Sequence, residues 1–121
     1  WCGPCNTASD YLAGNHENDP FSGMGQQIRD VIANGNVKWI TFITEDQGGS
    51  PATQAIGASW DAMYHNPNIP VVTEMDVHQL DANYGAGCVP AVYVVTPENT
   101  FLAVEDCQTW NQLQAMLQNY G

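Results

Sequence analysis

Apolar side chains recur every three or four residues in several segments, and this spacing predicts amphipathic helices. The predicted helices cover residues 2–13, 24–34, about 52–65, about 77–84 and 111–120. Gly14 ends the first helix, and "NGN" at 34–36 ends the second. Ser50 is a suitable cap for the third helix, with Pro51 in its first turn and an apolar stripe from Ala52 to Met63.

Other segments have the composition of strands. "VKWITFIT" at 37–44 is β-branched and aromatic, which predicts a strand buried on both faces. "AVYVV" at 91–95 predicts a second buried strand, "TPEN" a hairpin turn, and "TFLAVE" at 100–105 the returning strand. A short strand is expected at 71–76. This order predicts a single α/β domain over 1–121, with a central sheet flanked by helices.

The charge of the chain excludes some functions. The net charge is −11, from 13 Asp and Glu against 2 basic residues, Arg29 and Lys38. Two cations cannot neutralise a phosphate track, so nucleic-acid binding is excluded, and docking on anionic lipid is disfavoured. No run of 18 apolar residues occurs, so no transmembrane segment is predicted. The acidity comes from missing bases rather than added carboxylates, which favours an exported protein over a salt-adapted cytosolic one.

Cys2 and Cys5 form a C-x-x-C pair at the start of the first predicted helix. Unpaired backbone N–H groups and the positive end of the helix dipole lie there, and both favour a thiolate at Cys2. Gly3 and Pro4 fit the tight first turn. Cys5 lies one turn further on and can resolve a mixed disulfide formed on Cys2. A redox pair is therefore favoured, while a zinc knuckle lacks two further ligands and an inert disulfide across so short a ring gains little loop entropy.

Cys88 and Cys107 lie on either side of the predicted hairpin. If Thr96 faces Phe101, paired positions sum to about 197, and a slightly tighter turn brings the two cysteines opposite each other. A structural disulfide across the hairpin mouth is the preferred interpretation. A third redox thiol at Cys88 and two free thiols stay as alternatives.

Two groups of histidine and acidic residues have the composition of metal ligands. His16 with Glu17 and Asp19, and His78 between two Asp residues, are interpreted as solvated loop positions, so no metal is expected. The three later tryptophans are interpreted as packing residues; they are Trp39, Trp60 and Trp110.

"WCGPC", together with "GCVPAVYVVTPENTFLAVED" some 85 residues later, resembles the thioredoxin-like superfamily. The similarity is greatest to the periplasmic thiol-disulfide oxidoreductases of the TlpA/ResA/redoxin type, and it extends over nearly the whole chain. It implies a thioredoxin-like fold whose central strand precedes the Trp of the motif. No strand precedes Trp1 in this sequence, so the strand is expected to come from further sequence upstream or to be supplied by another segment.

The resemblance also implies roles for individual residues. Cys2 would be the attacking thiol and Cys5 the resolving one. Substrate contacts would come from Trp1, Gly3, Pro4, Val89 and a cis-proline at Pro90. The Gly-Pro dipeptide is similar to that of reducing members. No cofactor is expected, and the partners would be a disulfide-bearing protein substrate and an electron-donor redox protein.

The resemblance implies an extracytoplasmic location, periplasmic or secreted, with a membrane anchor possible upstream. "NTASDYL" after the motif departs from the basic residue and Glu-Pro step of many periplasmic members. A non-catalytic module that binds peptide or copper through the same groove and thiols is the alternative function. A peroxidase is disfavoured, because it requires a lone attacking Cys beside an Arg, and Arg29 is the only Arg.

Overall fold

Helices and strands are mixed along the chain, as the apolar spacing predicts. The computed structural model describes residues 2–74, 89–104 and 110–121. Within these ranges the helices are α1 (Gly3–Leu12), α2 (Gly25–Ala33), α3 (Gln54–Met63) and α4 (Asn111–Tyr120). The strands are β1 (Thr41–Ile43), β2 (Val71–Thr73), β3 (Tyr93–Val95) and β4 (Phe101–Val104). The predicted α/β class is confirmed, while the helix predicted at 77–84 lies outside the described residues.

Three helices begin and end within a residue of their predicted bounds, because a continuous apolar face defines each one. In α4, Leu113 and Met116 are buried and Leu117 is half-buried, as predicted. The third helix differs at its start. Thr53, not Ser50, is the cap, since Thr53 Oγ1 accepts a hydrogen bond from the backbone N–H of Ile56 at 3.3 Å.

Residues 46–50 form a tight loop before α3. Ser50 donates its backbone N–H to the Asp46 carboxylate at 2.9 Å, and its carbonyl accepts from the Asp46 N–H at 2.8 Å. Pro51 forms an isolated antiparallel bridge with Glu45. The predicted roles of Ser50 and Pro51 in α3 are therefore wrong. The Asp46 carboxylate binds the N–H groups of Gly48 and Ser50 and holds this segment in a loop before the helix. Met63, expected in the apolar stripe, is 62% exposed.

Within the described ranges, the strands pair into two two-stranded sheets. β1 pairs with β2 in parallel, with Thr41 opposite Val71 and Ile43 opposite Thr73. β3 pairs with β4 in an antiparallel arrangement. Gly57 of α3 lies against β2, where a Cβ atom on the glycine would come within 2.5 Å of Thr73 Cγ2. This close approach of helix to strand requires a residue without a side chain.

The segment 37–44 is not buried on both faces, which corrects the sequence prediction. Burial alternates from residue 37 to 43, with odd positions half-buried and even positions exposed. Trp39 packs against the core, whereas Ile40 and Phe42 are 47% and 49% exposed. Val72, opposite Phe42 on β2, is exposed as well. Both faces are apolar in sequence, but within the described residues only one is covered, so an outward apolar face remains on β1 and β2.

The hairpin turn at "TPEN" is confirmed. Asn99 donates its backbone N–H to the carbonyl of Thr96 at 2.9 Å and has a left-handed φ of 60°, which Asn tolerates well. Thr96 bonds to Thr100, and Val95 faces Phe101, so the register at the turn is one residue tighter than predicted. A shift between Val94 and Val95 restores the predicted register further along. β3 is only partly buried, with Val94 covered and Val95 exposed.

Phe21 lies at the centre of the core and is completely buried. Its ring makes edge contacts with Tyr11, Trp39 and Trp110, at centroid distances of 5.9, 6.1 and 4.9 Å. The packing roles predicted for Trp39 and Trp110 are confirmed, and Trp60 is half-buried against Tyr64. Edge-to-face aromatic contacts of this kind stabilise a fold by more than their buried apolar area alone would give. The cluster fixes α1 against the rest of the fold.

Candidate functional site

The candidate site is the N-terminus of α1. Cys2 is the N-cap residue, with extended backbone angles of −78° and 94°. Pro4 lies in the first turn, where its missing N–H costs nothing because the first N–H groups of a helix have no intrahelical partner. The local sequence therefore starts the helix immediately after Cys2 and places the cysteine side chain beside the first free N–H groups.

Cys2 and Cys5 are linked by a disulfide, and their Cα atoms are 5.3 Å apart. The backbone N–H of Cys5 points at Cys2 Sγ, with a nitrogen–sulfur distance of 3.2 Å. Both cysteines are half-buried, and Gly3 and Pro4 between them are exposed. The predicted closeness of the two sulfurs at a helix start is confirmed.

The electrostatics of this end come from the helix itself. The first turn of α1 carries no acidic side chain and is formed by uncharged residues from Gly3 to Asn6. The helix dipole and the Cys5 N–H both favour negative charge at Cys2 Sγ.

Asn6 joins the first turn of α1 to α3. Its backbone N–H and its side-chain Nδ2 both donate to the carbonyl of Cys2, at 3.0 and 2.9 Å. Its Oδ1 accepts a hydrogen bond from the Tyr64 hydroxyl at 2.8 Å. Burial and the nearby Asp10 carboxylate raise the pKa of the Tyr64 phenol above its ordinary value of 10.0, so it remains a donor.

Further amide contacts hold the end of α3 against α1. Asn66 Nδ2 donates to the carbonyl of Leu12 at 2.7 Å, and Asn15 Nδ2 contacts the carbonyl of Met63 at 3.5 Å. Residues at and just beyond the C-terminus of α3 are thus bound to both ends of α1: near Cys2 through Tyr64, and near Leu12 through Asn66. This pairing limits how far α1 can shift relative to α3.

Arg29 of α2 binds the C-terminal end of α1. Its Nε and one terminal nitrogen donate to the carbonyl of Tyr11, and the terminal nitrogen also donates to the carbonyl of His16 at 3.1 Å. The guanidinium lies 3.6 Å from the centroid of the Tyr11 ring. Arg29 therefore binds at the end of α1 opposite to Cys2, as a helix cap rather than an active-site cation.

In the first loop, the side chains of His16 and Asp19 accept hydrogen bonds from backbone N–H groups. His16 Nδ1 accepts from the N–H of Asn18 at 3.1 Å. The Asp19 carboxylate accepts from the N–H groups of Phe21 and Gly25, at 2.6 and 2.9 Å, and so caps the start of α2. No group of three His, Cys, Asp or Glu side chains with metal-binding geometry is found among the described residues. His78 lies outside them.

The second predicted motif is described only in part. The Val89–Pro90 peptide bond is cis, as the resemblance implied, with Val89 exposed and Pro90 half-buried. Trp1, Cys88 and Cys107 lie outside the described residues, so the substrate role of Trp1 and the Cys88–Cys107 disulfide stay predictions. The placement of Pro90 opposite the Cys2–Cys5 disulfide stays a prediction as well.

Two residues at this end of α1 were not recognised from the sequence. Asn6 carries a signal, since an amide four residues after a helix N-cap can reach back to the cap carbonyl. Tyr64 carries none, because its contact with Asn6 joins positions 58 residues apart in the chain.

No protein-family model, curated protein or solved structure matches this chain. None of the helices in the described ranges has the length and apolar character needed to span a bilayer.

Proposed function

We propose that this protein is a thioredoxin-like thiol-disulfide oxidoreductase that reduces disulfides of protein substrates. The observation that carries the proposal is the Cys2–Cys5 disulfide at the start of α1, with the Cys5 N–H directed at Cys2 Sγ. A pair that closes and opens reversibly requires an accessible sulfur with a stabilised thiolate. The partial exposure of both cysteines supports the first condition, and the position of Cys2 at the helix N-terminus supports the second.

The proposed reaction uses both cysteines of this pair. The Cys2 thiolate attacks one sulfur of the substrate disulfide, that disulfide breaks, and the released substrate sulfur takes a proton from solvent. Cys5 then loses its proton, attacks Cys2 Sγ and releases the second substrate thiol. Two electrons have moved from the dithiol to the substrate, and Cys2–Cys5 is again a disulfide. A reduced redox protein would return the pair to the dithiol.

The fold belongs to the same proposal. The parallel pair β1–β2 and the hairpin β3–β4 would be the two sides of one thioredoxin-like sheet. The family's central strand would join them. An extracytoplasmic location follows from the resemblance and from the scarcity of basic residues.

Insulin reduction tests the activity, with dithiothreitol as the electron source. The wild type should accelerate precipitation of the insulin B chain, and Cys2→Ser should abolish this effect. Cys5→Ser is the matched variant: it keeps the attacking thiol and should trap a mixed disulfide with the substrate, which Cys2→Ser cannot form. An inactive wild type, together with no trapped complex on Cys5→Ser, would refute the proposal. If that inactive, reduced wild type binds Cu(I) and Cys2→Ser does not, the chain is a copper-binding module instead.

A further inference from the structure

Asn6 and Tyr64 form a directed hydrogen-bond chain that ends on the Cys2 residue. The Cys2 carbonyl can only accept, so the Asn6 amide must present Nδ2 to it. Oδ1 of Asn6 then faces Tyr64, and the phenol must donate. All the donors point toward Cys2, and such aligned chains strengthen each bond by mutual polarisation.

From this chain we infer that Asn6 and Tyr64 are positioning residues that hold the Cys2 sulfur on the N–H of Cys5. The inference rests on the proposed function, since it concerns the geometry of the attacking thiol. Cys2 is an N-cap residue, so its own conformation is not fixed by the helix on its N-terminal side. The second bond from Asn6 to the Cys2 carbonyl holds the peptide plane that follows Cys2 on the first turn of α1, and the Cys2 side chain projects from the Cα atom at the edge of that plane.

Tyr64 supplies the fixed point of this chain. Its ring packs edge-on against Trp60 at a centroid distance of 4.9 Å, and it caps the C-terminus of α3. The neighbouring Asn66 contact with the Leu12 carbonyl holds the same end of α3 on α1. The Tyr64 hydroxyl therefore approaches Asn6 from an element already docked, and it selects the one Asn6 conformation that also reaches Cys2.

The reduced protein provides the test. The pH dependence of iodoacetamide alkylation at Cys2, measured in a Cys5→Ser background, gives the pKa of the Cys2 thiol. Asn6→Ala should raise this pKa and slow alkylation at neutral pH about fivefold, the equivalent of one lost hydrogen bond. Tyr64→Phe keeps the ring contact with Trp60 and should give a smaller change in the same direction.

The double variant separates positioning from general damage. Tyr64→Phe should have no further effect on the Cys2 pKa once Asn6 is Ala, because the two residues act through each other. Asn66→Ala is the matched control: it removes a side-chain amide bond between the same two helices, at the other end of α1. It should lower stability and leave the Cys2 pKa unchanged.

The outcomes distinguish this inference from the proposed function. If Cys2 alkylates with a lowered pKa in the reference protein but Asn6→Ala and Tyr64→Phe leave it unchanged, positioning is refuted and the function stands. Equal shifts from Asn66→Ala and Asn6→Ala would also overturn the inference, since the effect would then be general loosening. If the Cys2 pKa in the Cys5→Ser reference is near 8.5, the value of a free thiol, and the wild type does not reduce insulin, the proposed function itself is refuted.

Discussion

Replacing Arg29 should release the C-terminal end of α1. The guanidinium donates hydrogen bonds to the carbonyls of Tyr11 and His16 and lies on the Tyr11 ring. Arg29→Met keeps much of the aliphatic stem and removes all of these contacts. Arg29→Lys keeps the charge near the helix end but cannot reach two carbonyls in the same plane.

The contacts set the size of the effect. A hydrogen bond from a charged donor contributes about 1.5–3 kcal/mol to stability. Two of the three Arg29 bonds share the Tyr11 carbonyl as acceptor, so we count all three together as about 2 kcal/mol. The cation–π contact adds about 1 kcal/mol, and the charge at the helix C-terminus about 0.5 kcal/mol. Arg29 is half-buried, so solvent weakens each contribution. Arg29→Met should therefore lower the free energy of unfolding by about 3 kcal/mol, and Arg29→Lys by about 1–2 kcal/mol.

Urea unfolding followed by far-ultraviolet circular dichroism measures this loss. Lys38→Met is the matched control, because Lys38 is the only other basic side chain and is exposed. It changes the net charge by the same amount and should cost less than about 0.5 kcal/mol. Equal losses for Arg29→Met and Lys38→Met would show that charge, not the contacts on α1, is what Arg29 contributes, and the reasoning would fail.

Three further predictions concern other parts of the chain. Gly57→Ala should destabilise the protein by about 1–2 kcal/mol, because the new Cβ overlaps Thr73 Cγ2; adding Thr73→Ser, which lacks that methyl, should recover the loss in thermal unfolding. Burial raises the pKa of the Tyr64 phenol, so the folded state keeps its proton longer than the unfolded chain, and stability should fall as the pH rises from 10.0 through the folded pKa. The Tyr64→Phe variant should not show this part of the alkaline loss of stability. In an absorbance titration of tyrosinate, the variant should lack the component that has a midpoint above 10.0 in the wild type. Peptide mapping without reductant should yield Cys88 linked to Cys107, and two free thiols would contradict the predicted bridge.

Local periodicity was enough to predict the elements that carry the candidate site. The start of α1 at Cys2 follows from the C-x-x-C spacing, Pro4 in the first turn and the apolar face behind it. These signals lie within one helix, and each restricts the backbone in the same way. The hairpin turn at Asn99 was predicted for the same reason, since its turn chemistry is local.

Features that depend on distant partners were missed. Phe21 lies in a polar segment, so nothing nearby identified it as the centre of the core. The composition of 37–44 could not show that the described residues cover one face of β1 and leave the other exposed, because coverage depends on which elements pack there. Ser50 and Thr53 are both suitable helix caps by residue type. The Asp46 carboxylate binds the backbone of Ser50, and Thr53 caps the helix. The Asn6–Tyr64 bond likewise exists only once α1 and α3 are docked.

The outward apolar face of β1 and β2 affects how copies of this protein behave toward one another in solution. Ile40, Phe42 and Val72 are each more than two-fifths exposed. An exposed apolar patch of this kind favours association between copies of a small protein. At neutral pH every copy carries a net charge of −11, and mutual repulsion keeps these faces apart. Near the isoelectric point of about 4.1 that repulsion disappears, and at high salt it is screened within a few ångströms. The colloidal stability of the protein therefore depends on its ionised carboxylates, so mild acid should precipitate it before it unfolds.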